Sequence, residues 1–255
     1  MRHLISLSLA CLLAIASMAA CRAATLEVQQ GASIQDAVNA AKPGWTVHIH
    51  AGTYSQSVRI PFDESYTTHN IQIVGDPGAV LDGSMLEGQT GINILSSKGN
   101  TVSGLTVRNF AIGISIASPG KITDNTVTNC GIGLYASVIG DGIHLPKQTS
   151  LNNNLVVANN EGIELDACQN VSAKQNTVIC NGLGIDGAGI SVQQCDQCAV
   201  SQNIVSANGK GIYAFFTSST TFEQNVALGN QGLDLEDSSG DQNVWSQNIY
   251  LHGSI

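Results

Sequence analysis

The chain has 255 residues with 27 glycines, 11% charged and 5% aromatic residues, a composition that argues against a helical bundle and for a turn-rich β protein. Its formal net charge of −9 argues against nucleic acid as a partner, because binding phosphates needs a basic surface; a cation is the better-suited ligand. The length accommodates one domain, or two small ones.

The chain opens with Arg2 and His3 before an apolar run from Leu4 to Ala20. That run is too short for a stop-transfer helix and ends in small residues, so residues 1–23 read as a secretory signal peptide. Two processing routes compete. Cleavage near Ala19 or Ala23 is one; lipid attachment at Cys21 is the other, because Met18-Ala19-Ala20-Cys21 resembles a bacterial lipobox with an atypical first residue. Loss of Arg2 takes the charge from −9 to −9 − 1 = −10, and loss of Arg22 as well gives −11. No other apolar run is long enough for a membrane span. The expectation is an exported protein, periplasmic or extracellular, or an outer-membrane lipoprotein. Of the seven cysteines, Cys11 and Cys21 belong to this segment, which leaves Cys130, Cys168, Cys180, Cys195 and Cys198 in an oxidising compartment.

Residues 25–60 read as one unit. A strand spans Thr25 to Val28, Ser33 caps an amphipathic helix from Ile34 to Ala41, and Lys42-Pro43-Gly44 stops it. Strands follow at Thr46 to His50 and Val58 to Ile60. The strings Ser33-Ile34-Gln35-Asp36-Ala37-Val38, Pro43-Gly44-Trp45-Thr46-Val47 and Ala51-Gly52-Thr53-Tyr54 closely resemble the N-terminal cap of pectate-lyase-like β-helix proteins. So do Ile73-Val74-Gly75 and Ala79-Val80-Leu81-Asp82-Gly83-Ser84. Trp45 departs from the Asp that is commoner there, which concerns the turn. The resemblance runs from about residue 25 onward and implies an all-β fold over 25–255: a single-stranded right-handed parallel β-helix, or solenoid, with a short capping α-helix.

The repeat is visible without the resemblance. Asn125, Asn154, Asn176, Asn203, Asn225 and Asn248 each open a strand-like segment, at spacings of 29, 22, 27, 22 and 23. A period of about 22 is one rung of a β-solenoid. A second asparagine recurs at 159, 181, 208 and 230, and Gly-Ile or Gly-Leu pairs follow at 162, 184, 211 and 232, with Gly113-Ile114 and Gly133-Leu134 upstream. Asparagine tolerates left-handed φ at the corners, and its amide can bond to the equivalent amide one rung away. These asparagines are therefore assigned to the scaffold. The two long spacings locate insertions, one carrying Gly142-Ile143-His144-Leu145 and one carrying Asp186-Gly187-Ala188, and irregular loops on a regular scaffold are where sites are grafted.

Alternation along each strand sets Ile163 and Leu165 inward and Glu164 and Asp166 outward. Stacking the rungs predicts an outer column of His144 or Tyr135, Glu164, Asp186 or Ser191, Tyr213 and Asp234, beside a second column of Asp166, Gln193, Phe215 and Glu236. Carboxylates about 4.8 Å apart repel unless a proton or cation intervenes. The expectations are Ca²⁺ at Glu164, Asp166 and Asp186, sugar binding by Tyr213, Phe215 and Asp234, and catalytic groups among Lys147, Lys210, His144 and Glu164. The family resemblance supplies the chemistry, a metal-neutralised uronate losing its C5 proton to Lys or Arg. A solvated acidic face is the alternative reading.

Glu164, Asp186 and Asp234 could meet the carboxylate spacing of a glycoside hydrolase, about 5 to 10 Å, but the paired-Asp and Gly-His-Gly motifs of polygalacturonases and the Asp-Pro-His motif of mannuronan epimerases are missing. Asp234-Leu235-Glu236-Asp237 is the densest acidic run. His48 and His50 share one strand face, as metal ligands do, with no third ligand evident in the sequence. Cys195 and Cys198 have no partner Cys-x-x-Cys. Cys168 and Cys195 each lie six residues past a strand-opening glycine, so they should stack within disulfide reach. The function expected is a monomeric polysaccharide lyase acting on an acidic glycan; the alternatives are a β-helix that binds glycan or an exported protein without catalysis, and a structural envelope lipoprotein.

Overall fold

A computed structural model of the protein describes residues 23–61, 70–95, 99–137, 149–183, 187–240 and 242–255. The signal segment, His144, Lys147 and Asp186 lie outside them. Among the described residues, short strands follow one another along the chain and pair only in parallel with their equivalents one turn away, forming stacks of ten, nine and eight strands. One full turn uses Val171–Lys174, Thr177–Ile179 and Ala188–Gln193, one strand from each sheet. We call the ten-, eight- and nine-stranded stacks the first, second and third sheets, in their order along each turn. Inward residues of all three sheets fill a single continuous core of Ile, Val and Leu, with Ile163, Leu165, Ile190, Val192 and Ile212 fully buried. Among the described residues no helix is long and apolar enough to cross a membrane.

The N-terminal turn follows the sequence expectation. Strands occupy Thr25–Val28, Thr46–Ile49 and Val58–Ile60, and the helix spans Ile34–Ala40. Ser33 Oγ accepts the Asp36 amide at 3.1 Å, satisfying a backbone donor that the helix leaves free. Ile34 and Val38 are buried, so the helix covers apolar core that would otherwise meet water at the open end of the coil.

The corner asparagines form two ladders. Between the first and second sheets, each side-chain Nδ2 donates to the Oδ1 of the next: Asn125 to Asn154 at 3.2 Å, Asn154 to Asn176 at 3.1 Å, Asn176 to Asn203 at 3.0 Å, Asn203 to Asn225 at 2.9 Å and Asn225 to Asn248 at 3.0 Å. The unequal sequence spacings thus close onto one regular stack. A parallel ladder between the second and third sheets runs Asn159, Asn181, Asn208 and Asn230, ending on Asp234. One detail corrects the sequence reading: the left-handed residue is not the ladder asparagine but the one before it, as at Gln175, Gln202 and Gln224, with φ of 58°, 57° and 55°. That turn aims the following amide inward, where it also caps backbone groups of neighbouring rungs.

Cysteines, threonine and serine take the same role at the corner after the third sheet. Ala167, Gln194 and Phe216 carry the positive φ, and Cys168, Cys195 and Thr217 follow them. The Cys168 amide donates to Cys195 Sγ at 3.4 Å, as the Thr217 amide donates to Ser239 Oγ at 3.0 Å. The expected stacking of Cys168 on Cys195 is therefore present, but the expected disulfide is not: both are free thiols. The Cys168 and Cys195 thiols donate to the Ala136 and Gln193 carbonyls, so each sulfur replaces an asparagine amide. Contact with the Cys168 thiol, then burial, pushes Cys195 up to about 12. A thiol so rarely ionised reacts slowly in exchange. Alkylation of the unreduced, denatured protein is expected to label both residues, and a mass-spectrometric Cys168–Cys195 crosslink would contradict this assignment.

The ladders also make a graded prediction. Asn203→Ala removes the acceptor for both the Asn176 amide and its Nδ2, and strips a donor from the Ala173 carbonyl. Buried groups left without partners cost about 1–3 kcal/mol each, so a loss of roughly 3 kcal/mol or more is expected by chemical denaturation. Asn248→Ala, at the half-exposed end where water replaces the lost bonds, should cost clearly less.

Candidate functional site

The outward face of the third sheet gathers most of the described candidate residues. Its register places Ser115, Tyr135, Glu164, Ser191, Tyr213 and Glu236 in one column, with Ser137, Asp166, Gln193 and Phe215 in the next. Parallel pairing without slip puts residues of equal rank side by side, about 4.8 Å apart. Glu164, Asp166, Tyr213 and Phe215 therefore share the face that the sequence assigned to them.

Asp234 and Glu236 do not stand where expected. Leu235, not Leu233, pairs with Ile212, so Glu236 moves into the column of Tyr213 and Asp234 turns inward. It is buried, at 1% exposure. Gly232-Leu233 imitates a strand opening, but Leu235 lies five residues after Asn230 where its partner Ile212 lies four after Asn208, one residue more than on the preceding rung. Asp234 takes the place that glycine holds there, and its backbone packs on Gly211. Its carboxylate accepts from Asn230 Nδ2 at 2.8 Å and from the amides of Leu251 and His252. Burial pushes this carboxyl up, but those bonds outweigh it and hold it below the usual range. Asp234 is the terminus of a ladder, not a sugar ligand. Asp237, from the same acidic run, likewise accepts from Trp245 Nε1 at 2.7 Å and Asn243 Nδ2 at 2.9 Å.

Lys210 lies at one edge of the face. Its Nζ is 3.2 Å from Glu236 Oε2 and 4.6 Å from the Tyr213 ring centroid. The Tyr213 and Phe215 rings are nearly parallel with centroids 6.0 Å apart, and Phe216, two-thirds exposed, extends them at 4.1 Å from Phe215. Three aromatic rings thus form a ledge beside a cation, the arrangement that accepts the apolar face of a sugar. Tyr135 Oη donates to Asp166 Oδ2 at 3.2 Å, and Gln193 Nε2 to Ser191 Oγ at 2.9 Å.

The sequence reading missed Glu161. The residue before each strand-opening glycine is Ile112, Ile132, Glu161, Ala188 and Lys210 in successive rungs, and the structure pairs Ile132 with Glu161 and Ala188 with Lys210. A carboxylate in a position that isoleucine fills twice is the signal that could have found it. Burial pushes the Glu161 carboxyl up to about 7, with a smaller push from the Glu164 charge; the Ala188 amide, donating to Oε2 at 3.1 Å, and Lys210 pull the other way. Glu164 is raised by burial and then by Asp166. A group poised near neutrality in a face of aromatic and acidic side chains has the property of a general acid or base. For the metal, Glu164 and Asp166 are adjacent outward positions offering oxygen donors; Asp186, the third expected ligand, is outside the described residues.

The raised carboxyl of Glu161 has a thermodynamic sign. The folded state holds the proton up to about 7 while the unfolded chain releases it near the ordinary carboxylate value, so stability falls as pH rises through that window. The effect is up to about 3 kcal/mol, from the size of the shift. Denaturation midpoints between pH 5 and 7.5 should decline in the native chain and decline less in Glu161→Gln; equal slopes would remove Glu161 as the titrating group.

Comparison with known proteins supports the architecture. Residues 55–227 match the family model described as a right-handed β-helix region, and no curated protein matches the chain. Among solved structures, the enzymatically active domain of a bacteriophage CBA120 tailspike aligns at TM-score 0.55 and 13% identity over 89% of this chain. The chain spans 42% of that protein's length. The A-module of a mannuronan C-5 epimerase from Azotobacter vinelandii aligns at 0.54 and 14%, covering 91% of this chain and 77% of that one. An alginate lyase from Paenibacillus aligns at 0.51 and 13%, covering 91% and 99%. At these identities the likeness is one of fold. With more than half of its residues matched by the model and its strands stacked as that model requires, the chain belongs to the right-handed β-helix family.

Proposed function

We propose that the chain is an exported carbohydrate-active β-helix protein that holds an acidic, uronate-containing glycan along the outward face of the third sheet and cleaves it by β-elimination. The observation that carries this reading is Glu161, a carboxyl raised to about 7 on the same face as the aromatic ledge of Tyr213, Phe215 and Phe216. β-Elimination needs a base that accepts the proton at C5 and a positive charge that stabilises the carbanion-like carboxylate; the C4–C5 double bond then forms as the C4–O glycosidic bond breaks, and the departing oxygen takes a proton from solvent. Glu161 is suited to the first role, since a carboxyl raised to about 7 is partly ionised near neutrality and more basic than an ordinary carboxylate. Lys210 is suited to the second: its ammonium is already held by a carboxylate and a ring, an environment that a sugar carboxylate could share. Ca²⁺ held by Glu164 and Asp166 would supply further charge neutralisation through hard oxygen ligands. The alginate lyase and the epimerase among the structural neighbours lend this substrate class support.

A second reading, glycan binding without cleavage, is favoured by the engagement of Lys210, the cation beside the aromatic ledge, with Glu236; Arg59, in the same outward column, stands four rungs from Glu164. Ultraviolet absorbance of unsaturated uronate products on pectate, alginate and glycosaminoglycans, with and without Ca²⁺, separates the two. Under the first reading absorbance rises on at least one substrate and falls about 10²–10⁴-fold in Glu161→Gln. Tyr213→Ala should weaken substrate binding roughly three- to tenfold, as loss of a stacking ring worth about 0.5–1.5 kcal/mol implies. Retention of a glycan in affinity electrophoresis with no absorbance would support the binding reading.

A further inference from the structure

The first rungs hold a second cluster that the glycan-binding face does not use. His48 and His50 alternate to the same outward face at the end of one strand of the first sheet. Parallel pairing puts Glu27 of the preceding rung beside His48, and the Asp76 amide, donating to the Ile49 carbonyl, sets Asp76 beside both rings from the following rung. One oxygen, Glu27 Oε2, lies 2.8 Å from His48 Nδ1 and 2.8 Å from His50 Nε2. The other two ring nitrogens face Asp76: His48 Nε2 is 2.9 Å from Oδ1 and His50 Nδ1 is 3.0 Å from Oδ2. The ring centroids are 4.7 Å apart.

We propose that Glu27, His48 and His50 are the ligands of a divalent transition-metal site of the zinc class, with Asp76 as the outer carboxylate that orients both imidazoles.

The geometry assigns the four groups different tasks. The ligand atoms of Glu27, His48 and His50 all lie within 4.8 Å of one another, and ligands of a tetrahedral ion with bonds of about 2.0–2.2 Å sit roughly 3.5 Å apart. Small rotations of the exposed Glu27 and the part-exposed imidazoles close that difference. The ion takes the two ring nitrogens that face Glu27, any proton on them passing to solvent, while each imidazole donates its other N–H to Asp76. A carboxylate on the far nitrogen of a metal-bound histidine fixes its tautomer and strengthens it as a ligand, and here one carboxylate serves two rings. Two neutral imidazoles and two carboxylates sum to −2, which a divalent cation cancels. Imidazole donors suit zinc, cobalt, nickel and copper, whereas Ca²⁺ prefers a shell of oxygens. Glu27 is exposed, which leaves a fourth position open to water. The site lies on the first sheet at the capped end, so it stands independently of the glycan reading.

The test uses the full, tag-free chain after chelator treatment and removal of the chelator. Titration with Zn²⁺ and Co²⁺ should show one ion per chain, with Co²⁺ developing the visible bands of a low-coordinate nitrogen and oxygen site. His50→Ala should weaken binding at least about 100-fold, and Asp76→Asn about 10–100-fold with unchanged stoichiometry. Glu27→Gln, an exposed change that keeps the side-chain shape, provides the same comparison if a histidine variant fails to fold, and circular dichroism establishes folding for each. Absence of stoichiometric binding would overturn the proposal, as would binding unaltered in Glu27→Gln and Asp76→Asn. Competition by Ca²⁺ at concentrations equal to Zn²⁺ would also overturn it, because the site would then be a hard-ion site.

Discussion

The amide hydrogen bond that passes from one corner asparagine to the next is the constraint on which the remainder of the molecule depends. A parallel solenoid has no short-range device to fix register: each strand meets its neighbour only after a whole turn of chain. The ladder supplies that device, because an amide at a corner can donate to one partner and accept from another only when equivalent corners lie directly above each other. The cost is a left-handed residue before each rung's amide, about 1 kcal/mol or more for a residue other than glycine. The bonds gained are buried and several per asparagine. Once corners are pinned, chain inserted between them is tolerated, as the spacings of 29 and 27 show.

The corner after the third sheet obeys the same rule with different atoms. Cys168, Cys195, Thr217 and Ser239 replace the amide by a thiol or hydroxyl, groups with one hydrogen to donate where an amide has two. Such a corner holds fewer bonds per rung. It is also the corner at which the chain leaves Asp166, Gln193 and Phe215, and the left-handed residues that follow these positions turn the backbone away, so the last outward side chains of each strand stand at the rim of the sheet. Phe216, with φ of 50°, extends the aromatic ledge through that turn.

Much of this was legible in the sequence because a solenoid writes its period into the chain. The asparagine spacing, the inward Ile163 and Leu165 and the outward Glu164 and Asp166 all follow from one repeat. The failures are local departures from it. Asp234 was misplaced because Gly232-Leu233 imitates a strand opening while one additional residue shifts the strand. Glu161 was overlooked because attention to the glycine–aliphatic pairs stops one residue short of it. Glu27 and Asp76 were not joined to His48 and His50 because they come from the flanking turns, 21 and 28 residues from His48 in sequence; only the register of the first three rungs, where no asparagine ladder marks the corners, brings them together.

Register has an electrostatic consequence that accounts for the distribution of charge. In a parallel stack every side chain lies beside its equivalent, so a repeated carboxylate would become an unbroken line of like charges, destabilising at each step. The third sheet avoids this by dilution. Tyr135 and Ser191 flank Glu164, Ser137 and Gln193 flank Asp166, and Ala188 stands between Glu161 and Lys210. Each carboxylate is left next to neutral neighbours within its column and interacts with acids of the adjacent column instead, which is why burial and a flanking acid, acting together, raise Glu161 and Glu164. The first sheet resolves the same problem by alternation of type: Glu27, His48 and His50, and Asp76 place imidazoles between two acids. Dilution yields carboxyls raised above their ordinary range by burial; alternation yields a compact set of nitrogen and oxygen donors. The two arrangements thus arise from two solutions to one constraint, the stacking of equivalent residues that parallel pairing imposes.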